Sequence, residues 1–103
     1  MLDRKLIDKL KKIADTFGFD EQTKQLNEEM AELTVALNKF RRYGKMQREK
    51  RRADVVTEIA DVYIMLEQMK YFLDCQDEVD KEIEYKIERT LRRISKLRTN
   101  NEV

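Results

Sequence analysis

The chain has no histidine, no proline and no tryptophan, and only two glycines, Gly18 and Gly44. Without histidine there can be no His-based catalytic triad and none of the usual zinc sites. With so few chain breakers, a sandwich or barrel made of many tight turns does not fit. Cys75 is the single cysteine, so no internal disulfide can form and a reducing cytoplasm is the expected compartment. No apolar run reaches membrane-spanning length and residues 1–16 are charged throughout, so neither a transmembrane helix nor a secretory signal is expected. Nor is there an excess of one charge. Lys and Arg number 22, Asp and Glu 21, leaving a net charge of +1, which argues against a polycation built to coat nucleic acid.

What is present is charge and helical periodicity. Of 103 residues, 41% are hydrophobic and 42% charged. That length predicts one small domain, here residues 1–98, with a frayed tail over 99–103. Four helices are expected, over about residues 2–16, 20–43, 48–75 and 78–98. Leu2, Leu6, Ile7, Leu10 and Ile13 give the first its stripe, and Leu26, Met30, Leu33, Leu37 and Phe40 the second. Val79, Ile83, Ile87, Leu91 and Ile94 serve the fourth, with Asp77 as its expected N-cap. Gly18 and Gly44 are the expected stops of the first two helices. The second and third, each about 35–40 Å long, should form an antiparallel hairpin across Gly44.

The third helix is apolar over most of its circumference, from Val55 and Val56 through Val62–Leu66 to Phe72 and Leu73. Such a helix is buried on several sides. One chain has little left to surround it, so a homodimer packing hairpin on hairpin is expected, with further pairing into a tetramer left open.

The acids on the second helix are sorted by a helical wheel. With Leu26 at zero, the stripe lies within about 40°, Glu29 at about −60°, Glu32 at about −120° and Glu28 at about 200°. Glu29 and Glu32 therefore flank the core one turn apart, and Glu28 points away. Glu58 and Asp61 are likewise three apart on the third helix, on the side of Met65 and Phe72. Desolvating ionised carboxylates beside apolar groups is costly unless a cation compensates. Two such pairs converging on one point would suit a divalent cation, and an oxygen-only donor set favours Mg²⁺, with Mn²⁺ as a substitute, over zinc. The plain alternative is that these acids, like most on helices, face solvent.

Residues 28–32 read E-E-M-A-E and residues 58–61 read E-I-A-D, with 25 residues between Glu32 and Glu58. F-G-F-D-E-Q precedes the first motif, and K-I-E-R-T-L-R-R-I follows from Lys86. This ordered set, over about residues 15–95, resembles the EExxE…ExxD signature of the MazG-like, all-α nucleoside triphosphate pyrophosphohydrolases. The resemblance implies an all-α fold completed by dimerisation. It also implies Mg²⁺-dependent hydrolysis of a nucleoside or deoxynucleoside triphosphate to the monophosphate and pyrophosphate. It assigns Glu29, Glu32, Glu58 and Asp61 as metal ligands and catalytic residues, and Lys86 and Arg89 as a basic pair meeting the triphosphate. Thr90 stands where many members carry Asn, a departure beside that pair. The family varies in base preference, so the resemblance names no base.

Other segments carry rival readings. Residues 39–52 hold eight Lys or Arg against one acid, Glu49. A solvated loop and helix start is favoured there over a nucleic-acid patch. A third reading has Arg52 and Lys45, the nearest by sequence, holding phosphates beside the acids. Gln22 and Gln25, one turn ahead of Glu29, are candidates for a base edge. Phe17 and Phe19 either cover a base or plug the hairpin end. The function expected from another class is a non-enzymatic dimeric scaffold or regulator, with a nucleic-acid binder behind it.

Overall fold

In a computed structural model, which describes residues 2–101, four α-helices follow one another and no strand occurs among the described residues. They are α1 (Arg4–Phe17), α2 (Phe19–Tyr43), α3 (Arg48–Leu73) and α4 (Gln76–Asn101). None of these helices is long and apolar enough to cross a membrane.

The boundaries follow local chemistry. Asp3 caps α1, its carboxylate accepting the Leu6 N–H at 2.9 Å. Gly18 closes α1 and opens α2 in one residue. Its N–H donates to the Ala14 carbonyl at 2.8 Å, and its own carbonyl accepts the Gln22 N–H at 3.1 Å. This junction requires φ of 87°, a region glycine enters without strain. Gly44 follows α2 with its backbone still in the helical region, and glycine is required there because a Cβ would collide with the Phe40 carbonyl oxygen. Asp20 and Glu21 open α2 and Arg41 and Arg42 end it, matching the helix dipole at both ends.

Asp77, the expected N-cap of α4, lies instead inside its first turn. The helix begins at Gln76, and the Val79 N–H donates to the Cys75 carbonyl at 2.9 Å. At the other end α4 continues past Arg98 to Asn101. The fraying expected for Glu102 and Val103 lies outside the described residues.

Two compact units divide between Leu73 and Asp74. In the first, α2 and α3 form the main helix contact and α1 packs on both. Gln22 meets Gln68, Thr23 meets Met69 and Glu32 meets Glu58, so numbers rise along α2 as they fall along α3. Tyr71 on α3 ties down α1, its hydroxyl donating to Asp15 Oδ1 at 2.8 Å. That hydrogen bond, then burial and the Asp15 charge, raises the phenol's pKa. Phe19 meets Phe72 edge to face, with ring centroids 5.5 Å apart, while Phe17 stays exposed. The second unit is α4, whose stripe residues Ile83, Ile87, Leu91 and Ile94 are all exposed.

The core of the single chain is thin. Its buried apolar residues are Ala14, Val62 and Met65, and Gln22 and Gln68 are buried among them. On α3, Val56, Ile59 and Leu66 remain 45–50% exposed.

Candidate functional site

One row of α3, spaced three or four residues apart, carries Asp54, Glu58, Asp61, Met65, Gln68 and Phe72. Helical geometry lines such a row along one face. The facing surface of α2 carries Gln22, Gln25, Glu29, Glu32 and Lys39. Polar groups therefore meet along the α2–α3 seam at two levels.

At one level, Glu29, Glu32 and Glu58 each offer a carboxylate oxygen, and these oxygens all lie within 4.8 Å of one another. Glu29 and Glu58 are half-buried and Glu32 is exposed. The exposed Gln25 donates its Nε2–H to Glu29 Oε1 at 2.7 Å, which fixes that side chain. Glu29 Oε2 and Glu58 Oε2 are buried and accept no hydrogen bond. Asp61 adjoins this triangle through Glu29, whose charge acts on it. Glu28 is exposed, as its wheel position requires.

The electrostatics are those of a crowded acid cluster. Burial first, then the charges of Glu32, Asp61 and Glu29, raises the pKa of Glu58 above the usual carboxylate value. Burial, then the charge of Glu29 and a hydrogen bond with it, does the same for Asp61. The side-chain ion pairs among the described residues are Lys24–Glu21 and Lys70–Glu67, so none of these four acids forms an ion pair with a described lysine or arginine. Two buried carboxylate oxygens without donors, in an all-oxygen donor set, fit a hard divalent cation.

At the second level, two turns along, Gln22 and Gln68 are buried, and Gln22 Nε2 donates to Gln68 Oε1 at 2.8 Å. Gln68 Nε2 approaches Met65 Sδ at 3.7 Å. Gln22, a candidate for a base edge, is thus placed inside the helix packing rather than on an open surface. Gln25 keeps an exposed position beside the acids.

Beyond Glu32 and Glu58 the seam opens into a groove of about 370 Å³ lined by Ala31, Val35, Ala36, Lys39, Arg51 and Asp54. The cations in it are Lys39 and Arg51, not Arg52 and Lys45; Lys45 faces a separate pocket at the α2–α3 loop. An antiparallel register could have found them. Lys39 lies seven residues after Glu32, and Arg51 seven before Glu58. Lys86 and Arg89 lie on α4, in the second unit. Lys86 is exposed. The Arg89 guanidinium stands over the Tyr85 ring at 5.8 Å, and its buried Nε has no acceptor.

No family model, no curated protein and no solved structure matches this chain.

Proposed function

We propose that the protein is a divalent-cation-dependent nucleoside triphosphate pyrophosphohydrolase, converting a nucleoside or deoxynucleoside triphosphate to the monophosphate and pyrophosphate. The observation that carries this reading is the meeting of Glu29, Glu32 and Glu58 within 4.8 Å, with two buried oxygens that have no donor. A packed protein rarely leaves such atoms unmatched without a ligand for them. The order of E-E-M-A-E and E-I-A-D along the chain, resembling the MazG-like motif pair, supports the same reading.

Glu29, Glu32 and Glu58 would hold Mg²⁺, with Asp61, beside Glu29, assigned to the same ion by the resemblance. Gln25 keeps Glu29 in the rotamer that faces the cluster. When bound, the cation offsets the charge of the polyphosphate and acidifies a water for attack. The new bond forms between water oxygen and the α-phosphorus, the bond to the α,β-bridging oxygen breaks, and pyrophosphate departs. Lys86 and Arg89, through the resemblance, are assigned to phosphate contact, where their charge would counter that building on the leaving group.

The working form in this reading is a dimer. The half-exposed Val56, Ile59 and Leu66 on α3 supply the apolar surface for a second copy. Leu66→Lys should therefore disrupt assembly, read by light scattering at micromolar protein.

The test is a panel of ordinary and damaged triphosphates with Mg²⁺, followed by chromatography of the first products. Monophosphate with pyrophosphate is expected. Diphosphate with orthophosphate would sink the mechanism, and no hydrolysis of any triphosphate would leave a helical scaffold in its place.

A further inference from the structure

The groove next to the acid cluster joins opposite charges along one seam. Glu32 and Glu58 stand at one end, and Lys39 and Arg51 at the other, on a floor of Ala31, Val35 and Ala36. Seven residues of helix separate the ends on each side, about 10 Å along the axis. Small floor residues leave that length open.

Arg51 is held in place by the protein. Its Nε donates to the Met46 carbonyl at 3.3 Å, and its guanidinium lies over the Tyr43 ring at 5.2 Å. These contacts seat the guanidinium against Tyr43 and Met46 of the neighbouring loop pocket, while the residue also lines this groove; its terminal N–H groups have no acceptor among the described residues and are free to bond phosphate oxygens. A nucleobase is the less suitable occupant, because no aromatic side chain lines the groove; Phe40 and Tyr43 line the separate loop pocket. Asp54 lies between the two ends and would repel a bare anion running the full length. The fitting ligand is a polyphosphate whose charge is offset by a cation at the Glu32–Glu58 end and by Lys39 and Arg51 at the other.

We propose that this groove takes the pyrophosphate end of the substrate, with Lys39 and Arg51 binding the β- and γ-phosphates and so directing the α-phosphorus to the acid cluster. This rests on the pyrophosphohydrolase reading, and it assigns phosphate contacts to the first unit independently of Lys86 and Arg89.

The test measures binding of inorganic pyrophosphate by calorimetry in Mg²⁺ buffer, with orthophosphate as the single-phosphate comparison. Wild type should bind pyrophosphate well and orthophosphate far more weakly. Lys39→Gln and Arg51→Gln should each weaken pyrophosphate about tenfold or more, the loss of one charge-assisted contact. Arg51→Lys should fall between, since it keeps the charge and loses the fork. Arg41→Gln, in the separate loop pocket, should bind like wild type. If circular dichroism finds Arg51→Gln unfolded, Lys39→Gln carries the test, because the exposed Lys39 side chain makes no contact that holds the fold. Wild-type affinity in Lys39→Gln, or an equal loss in Arg41→Gln, overturns the proposal. The two readings fail separately. A protein that binds pyrophosphate through Lys39 and Arg51 but hydrolyses no triphosphate upholds the groove and overturns the enzymatic reading. One that hydrolyses triphosphates while both variants bind pyrophosphate normally does the reverse.

Discussion

Two polar clusters share the α2–α3 seam, two turns apart, and the protein treats them differently. At Gln22–Gln68 the burial is deeper, yet the amides answer each other at 2.8 Å. At Glu29, Glu32 and Glu58 the burial is shallower, yet two buried oxygens have no donor and the charges are all of one sign. A satisfied buried pair specifies how two helices meet. An unsatisfied cluster of like charges opposes that meeting, and persists where something outside the chain completes it. One end of the seam is thus structural, and the other is the end where the proposed cation would bind.

The largest effect should come from the acids. Glu29→Gln, Glu32→Gln, Glu58→Gln and Asp61→Asn should each cut turnover by about a hundredfold or more, as expected when a catalytic cation is lost. The combined loss should be less than additive, because the four act together. Glu21→Gln, which removes only a surface pair with Lys24, is the control and should change little. At the other cluster the same kind of edit should act on stability and not on chemistry. Gln68→Ala leaves the Gln22 amide buried without its partner and should cost about 1–3 kcal/mol in urea unfolding at fixed protein concentration. Gln22→Leu with Gln68→Leu should recover much of that loss, because no orphaned amide remains.

A smaller effect concerns pH. Burial, and then the neighbouring acid charges, raises the pKa values of Glu58 and Asp61 above those of free carboxyls. Protonation therefore favours the folded state. The gain is complete below the unfolded values and is lost as pH rises through the raised folded ones. In chelating buffer the melting temperature should accordingly carry a stabilising contribution on acidification toward pH 4.5, and Glu58→Gln should flatten it. The smallest effect is Tyr71→Phe. It deletes an exposed hydrogen bond to Asp15 and should lower stability only slightly, by less than Gln68→Ala, in the same urea assay.

The comparison also separates what the sequence made legible from what it did not. Helix extents were readable to within a few residues because amphipathic spacing and glycine stops are local signals. The placing of Glu29 beside the core and Glu28 away from it follows from 100° per residue alone, and the two side chains are half-buried and exposed respectively. The Gln22–Gln68 pair joins residues 46 apart, and a glutamine on a wheel looks like a surface residue. The one local clue was that Gln68 falls on the row of Asp61, Met65 and Phe72. Arg51 was missed in favour of Arg52 because closeness in sequence is a poor guide on a helix, where one residue turns the side chain by about 100°. The register between α2 and α3 selects Arg51, and register is a tertiary property.

The proposed role of the seam depends on a divalent cation completing the acid cluster. The most direct measurement is the melting temperature in chelating buffer and then in millimolar Mg²⁺, for wild type and for Glu58→Gln, at equal protein concentration and pH. A ligand that binds only the folded state raises the melting temperature by mass action. Wild type should show a clear rise and Glu58→Gln almost none, and the variant should melt no lower than wild type in chelator. Equal melting of wild type with and without Mg²⁺, or an equal rise in both proteins, would contradict it.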